Sequence, residues 1–167
     1  MNRSVMKSIS EQETSTEKSR ALQAIILGGL IAGTLDLTSA FIITGLRGGS
    51  QVRMLQSIAS GLLGADSFRG GAATATLGVL AHFAIAFIWT IVFYLASRKI
   101  KFLIDQPIIS GVLYGVVVYL LMYYVIVPLS AAPFQMPHNL DAIARDVFIH
   151  IICVGLPIAL VVRRYSK

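Results

Sequence analysis

Four long apolar segments, separated by short polar connections, dominate the sequence. They run over 21–46, 72–97, 107–130 and 142–162. Each is long enough to cross a bilayer as a helix, which takes about 20 residues. The pattern therefore predicts an all-α membrane protein with four transmembrane helices, built as a single domain over residues 21–167.

The polar residues before the first span have no apolar periodicity. Residues 1–20 are mixed in charge and rich in Ser and Thr. Such a segment has little apolar surface to bury, so we expect a disordered or loosely held polar tail.

The first connection has the spacing of a short amphipathic helix over residues 51–63, opened by Ser50 and closed near Gly64. It is too short to span the bilayer. We expect it to lie at the outer interface or to dip into the bundle as a lid, with Gln56 and Ser60 facing solvent and Leu55 and Ile58 facing the protein.

Composition and charge support the membrane assignment. Only 13% of the residues are charged, about half the usual share in soluble domains. Of the 14 Lys and Arg residues, ten lie on the side of the two termini and four on the other, which predicts both termini in the cytoplasm. The net charge of +6 comes with no nucleic-acid-binding motif, so we expect the lipid bilayer and no nucleic acid as partner.

The chain resembles one helical hairpin written twice. "GGLIAGTLD" in the first span is similar to "SGVLYGVVV" in the third, which pairs Gly29 with Gly111 and Gly33 with Gly115. "VLAHFAIAF" in the second span is similar to "VFIHIICVG" in the fourth. The alignment predicts two tandem hairpins, and the small-residue stripes predict close helix packing, within the chain or against a second copy or a larger membrane complex.

Ionisable residues inside the spans are the candidate site. At about 1.5 Å rise per residue, Asp36, His82 and His150 all fall roughly 3–4 Å to the outer side of the span midpoints. Asp146 lies one turn before His150, and we expect its carboxylate to accept a ring N–H from that histidine. The sequence thus predicts a shared polar cavity lined by Asp36, His82, Asp146 and His150.

Aromatic and proline residues add two smaller expectations. Tyr119, Tyr123 and Tyr124 are typical of an interfacial aromatic belt, with cavity hydroxyls as the alternative. Pro157 predicts a kink in the fourth helix.

The motifs resemble those of the YagU-like family of small bacterial inner-membrane proteins. The resemblance rests on "GLIAG" at Gly29–Gly33, His82 ahead of "IVF", "KIK" at Lys99–Lys101, the pair Pro128–Leu129, and "DVFIH" at Asp146–His150 before Arg163–Arg164. It implies a multi-pass protein of the bacterial inner membrane and no established activity. Asp36 and the first connection have no counterpart in this resemblance.

Four functions are compatible with these residues. In the first, the cavity handles protons, ions or a small solute, since histidine titrates near neutrality. In the second, His82 and His150 ligate a haem. In the third, both histidines and Asp36 bind a divalent metal. In the fourth, the chain is an accessory or assembly subunit of a larger membrane complex. No nucleophile lies beside a base in a recognisable motif, so we expect neither an enzyme nor a resident cofactor.

Overall fold

Four long apolar helices form the body of the protein. The computed structural model describes residues 3–133 and 139–166. Its helices are α1 (Arg3–Leu46), α2 (Gln51–Leu63), α3 (Gly71–Ser97), α4 (Phe102–Asp105), α5 (Pro107–Leu129) and α6 (Leu140–Tyr165). Helices α1, α3, α5 and α6 are each long and apolar enough to cross a membrane, which confirms an all-α protein with four spans.

The N-terminal tail differs from its prediction. Helix α1 begins at Arg3 and continues without a break into the first span, so residues 3–20 are helical and not a disordered tail. This N-terminal extension of α1 also contacts the bundle. Glu17 in the extension pairs with Arg98, which follows directly after α3.

The four spans are arranged in a ring. Helix α1 packs against α3 and α6, and α5 packs against α6. The ring closes through aromatic side chains between α3 and α5. The Tyr114 hydroxyl donates to the Trp89 carbonyl oxygen at 2.6 Å, and its ring meets those of Trp89 and Phe93 edge to face.

Most of each span faces outward. Between 17% and 28% of the most apolar stretch of each span is buried within the protein. Large aliphatic side chains such as Leu30, Ile88, Leu113 and Ile152 are more than 40% exposed. A surface of this kind suits lipid, which solvates apolar side chains as well as a protein interior does.

Helix α2 is present as predicted, but two of its polar residues are oriented differently from the prediction. Gln56 and Ser60 are 3% and 0% exposed, whereas Val52 and Leu62 are 48% and 66% exposed. Gln56 donates from Nε2 to the Gly71 carbonyl oxygen at 3.1 Å. The prediction that Gln56 and Ser60 face solvent is therefore wrong, while Leu55 and Ile58 are partly buried and Arg53 is exposed.

Glycines of the second hairpin admit backbone from the opposing helix. A Cβ on Gly115 would lie 2.5 Å from the Ile151 Cα, and one on Gly155 would lie 2.1 Å from the Gly111 carbonyl oxygen. Real Cβ atoms do not approach backbone so closely. Helices α5 and α6 can therefore cross at this distance only because these positions are glycine.

Glycines of the first hairpin admit side chains at the corresponding positions. A Cβ on Gly33 would lie 2.8 Å from the Phe83 ring, and one on Gly29 would lie 2.3 Å from the Phe87 ring. Phe83 follows His82 by one residue, just as Ile151 follows His150. The aligned glycines thus contact aligned positions, as the tandem-hairpin alignment requires.

Each helix of the second hairpin contains a π-helical turn followed by a proline. The turns cover Met122–Ile126 in α5 and His150–Gly155 in α6, and Pro128 and Pro157 come two residues later. Proline lacks an N–H and its ring clashes with the carbonyl four residues earlier. A π-helical turn relieves both problems by widening the helix, so each proline is accommodated within its span. The kink at Pro157 stays a prediction.

Candidate functional site

A cavity of about 540 Å³ lies inside the ring of spans and is covered by α2. It is termed the central cavity below. It extends from Trp89 and Val154, near the middle of the spans, to Arg47 and Ser130, where α1 and α5 end. Its lining residues with ionisable side chains are Asp36, Arg47, His82, Tyr123, Arg145, Asp146 and His150. The volume is within the usual range of small-molecule sites, about 300–1,000 Å³.

All four residues predicted for a polar cavity lie on this wall, in two clusters. Asp36 of α1 and His82 of α3 form the first cluster, and Asp146 and His150 of α6 belong to the second. Of the four predicted packing glycines, Gly33 also lines the cavity. Gly29, Gly111 and Gly115 lie at helix crossings instead.

The first cluster joins α1 to α3 through His82. Its Nε2 lies 2.9 Å from the Gly33 carbonyl oxygen and 4.0 Å from Asp36 Oδ2. A carbonyl oxygen can only accept a hydrogen bond, so Nε2 carries the hydrogen in the neutral ring. Nδ1 then keeps its lone pair, which is free to accept a proton or a ligand. The two side chains are 14% and 25% exposed, so both are partly enclosed.

The Asp146 carboxylate has other partners than the one predicted. Its Oδ1 accepts from Arg145 Nε at 2.8 Å, and its Oδ2 accepts from the Tyr123 hydroxyl. The expectation that this carboxylate orients His150 is therefore wrong. Because the tyrosine comes from α5, the Asp146 side chain links the two helices of the second hairpin.

His150 is oriented by the backbone of its own helix. Its Nδ1 lies 2.8 Å from the Asp146 carbonyl oxygen, so the neutral ring carries its hydrogen at Nδ1. Nε2 is then the lone-pair nitrogen. The ring packs edge to face against Tyr119 and Tyr123, at 5.6 and 6.5 Å between centroids. The two histidines thus hold opposite tautomers on one cavity wall.

The tyrosines of α5 divide between two environments. Tyr119 is 1% exposed and Tyr123 binds Asp146, whereas Tyr124 is 55% exposed. The aromatic-belt interpretation therefore fits Tyr124 alone. The sequence held a signal for this division, since Tyr119 and Tyr123 continue the i, i+4 stripe that starts at Gly111 and Gly115.

Trp89 was interpreted from the sequence as a packing residue and inner-interface anchor, yet it lines the inner end of the cavity. It is 8% exposed, and its indole N–H has no hydrogen-bond partner among the described residues. Arg47 and Arg145 also bring two positive charges to the cavity wall, and Arg145 pairs there with Asp146. An arginine adjacent to Asp146 was visible in the sequence, but only the fold shows that it binds that carboxylate.

Within residues 3–133 and 139–166, no three His, Cys, Asp or Glu side chains converge closely enough to hold one metal ion. Searches with this chain against family models, curated proteins and solved structures found no match.

Proposed function

We propose that this protein binds a small polar or ionic solute in the central cavity and exchanges protons there through His82 and Asp36. One observation carries the proposal: a cavity of about 540 Å³ between membrane-spanning helices is lined by two histidines, two aspartates and two arginines. The chain would be a carrier, channel or receptor, and not an enzyme.

The energetics of the membrane support a functional reading of these residues. A charged Asp or Arg near the bilayer centre costs about 2.5–3.5 kcal/mol on insertion scales. Residues kept only for packing meet this cost by closing into saturated pairs. The lone-pair nitrogens of His82 and His150 and the indole N–H of Trp89 lack such pairing among the described residues, and all three residues line the cavity.

The geometry at His82 suits reversible protonation. Uptake of one proton at Nδ1 gives an imidazolium that still donates from Nε2 to Gly33 and faces the Asp36 carboxylate at 4.0 Å. Loss of the proton restores the neutral ring without moving the hydrogen bond to Gly33. The His82 ring can therefore gain and lose a proton with little rearrangement.

The proposed location is the bacterial inner membrane, with both termini in the cytoplasm. The ten Lys and Arg residues on the side of the termini support this orientation, since positive residues stay on the cytoplasmic side. With this orientation, α2 and the end of the cavity that it covers would lie on the periplasmic side. The resemblance to the YagU-like family is part of this proposal and agrees with a small inner-membrane protein.

Proton flux in proteoliposomes tests the function. Vesicles with the purified protein, a pH-sensitive dye inside and an imposed potassium potential should acidify faster than protein-free vesicles. H82F should bring the rate to background, and T90V on the same helix should leave it unchanged, because Thr90 is buried outside the cavity lining. Equal rates for H82F and the wild type would contradict the proposal.

The same preparation separates the other readings. A Soret band in the absorbance spectrum would indicate a bis-histidine haem, and stoichiometric metal by elemental analysis would indicate a metal site. Absence of flux together with stable co-purification of other membrane subunits would favour the accessory role.

A further inference from the structure

A second pocket, of about 430 Å³, lies at the opposite end of the bundle from α2. It is termed the basic pocket. Its lining includes Glu17, Arg20, Tyr94, Arg98, Tyr165 and Ser166. These residues come from α1 and from the ends of α3 and α6, so three spans meet around it.

The pocket lies where the apolar spans end. Arg20 directly precedes the apolar part of α1, Arg98 directly follows α3, and Ser166 directly follows α6. In a bilayer this level is occupied by lipid headgroups, between the hydrocarbon and the water. A ligand in the basic pocket would therefore be at headgroup depth.

The lining contains two guanidinium groups and one carboxylate. The groups belong to Arg20, Arg98 and Glu17, and Glu17 pairs with Arg98. The Arg98 and Glu17 side chains are 49% and 60% exposed, so this pair is open to a competing anion. Guanidinium groups bind phosphate oxygens in a bidentate manner, which a single lysine ammonium cannot do.

Hydroxyl groups complete the set of donors. Tyr94 and Tyr165 supply two phenols at the wall, and Ser166 supplies an aliphatic hydroxyl. The Ser166 Oγ is buried and has no hydrogen-bond partner among the described residues. A buried hydroxyl without a partner is costly, and a phosphate oxygen in the pocket would satisfy it.

We propose that the basic pocket binds a phosphate group, as carried by the headgroup of an anionic phospholipid. Basic pockets between helices at the cytoplasmic side of membrane proteins bind headgroups through this chemistry. The site is separate from the central cavity and does not depend on what that cavity binds.

Thermal unfolding in detergent, with phosphatidylglycerol titrated in, tests this site. The wild-type midpoint should rise and saturate with lipid. R98Q should weaken the apparent affinity about tenfold or more, as expected for loss of a charge-assisted hydrogen bond. R164Q is the matched control, because it removes the same charge from the same end of the bundle outside the pocket lining.

A second pair of variants tests the same site, and we expect both variants to fold. E17Q removes the carboxylate that competes for Arg98, so it should tighten lipid binding. D105N makes the same change of charge after α3, outside the lining, and should have a smaller effect. If R98Q fails to fold, this pair decides the question alone.

Inorganic phosphate in place of lipid identifies the source of the group. Saturable stabilisation by phosphate that R98Q abolishes would indicate a site for soluble phosphate compounds, and a response to phosphatidylglycerol alone would indicate a lipid site. Either response supports the proposal that the basic pocket binds a phosphate group. No saturable response to either probe would overturn it, as would R98Q matching R164Q together with E17Q matching D105N.

Discussion

The two hairpins of this protein both bring their helices close together at glycines, but through different contacts. In the first, Gly29 and Gly33 of α1 receive phenylalanine rings from α3, and both helices are regular. In the second, Gly111 and Gly115 of α5 receive backbone from α6, and both helices contain a π-helical turn before a proline. Contacts at aligned positions are thus preserved while their chemistry changes.

The difference extends to the histidines. His82 reaches across the hairpin to a carbonyl of the opposite helix, whereas His150 bonds to its own helix. In the second hairpin the link between helices passes through Tyr123 and Asp146 instead. The comparison teaches that one sequence pattern, a glycine stripe facing a histidine helix, is compatible with two ways of placing an imidazole on a cavity wall.

The largest expected effect is on the glycines. G155A places a Cβ 2.1 Å from the Gly111 carbonyl oxygen, so backbone must move, and we expect a loss of about 3 kcal/mol in unfolding free energy. G29A meets the Phe87 ring, which can shift, and we expect about 1 kcal/mol. Unfolding in mixed micelles measures both. Equal losses would mean that the two crossings do not differ as described.

A smaller effect is expected at the tyrosine link of the second hairpin. Y123F removes the hydrogen bond to Asp146 and should cost about 1 kcal/mol, within the range measured between membrane helices. Y124F, one residue along, serves as the control because that side chain is 55% exposed. The same unfolding assay applies, and a loss at Tyr124 as great as at Tyr123 would refute the assigned roles.

The smallest expected effect separates the two histidines. H82F breaks a bond between helices and should lower stability by about 0.6 kcal/mol, the average for such bonds in membranes. H150F breaks a bond within α6 and should change stability less. A larger loss in H150F than in H82F would reverse the comparison.

Periodicity and composition were enough to predict the spans and the existence of α2. Long apolar runs have one stable solution in lipid, since only a helix satisfies its own backbone there. Helical rise alone predicted one level for Asp36, His82 and His150, and all three line the central cavity. The alignment of glycines carried information about contacts, because small residues mark where helices approach.

Other features depend on tertiary structure and had no local signal. The sequence of α2 shows two faces, but which of them meets the protein depends on whether its surroundings are lipid or water. The partners of Asp146 were missed because a carboxylate next to Arg145 and one turn from His150 has several partners within reach. The helical form of residues 3–20 fits a contact, Glu17 with Arg98, between residues 81 positions apart.

Nitrogen-15 NMR of histidine side chains in bilayers tests the central claim most directly. With H138N as background and H82F and H150F for assignment, the neutral rings should differ: His82 protonated at Nε2, His150 at Nδ1. The proposed proton exchange at His82 also requires that this ring gain a proton when the pH is lowered. Identical tautomers, or a His82 ring that does not respond to pH, would contradict a shared proton-exchanging cavity.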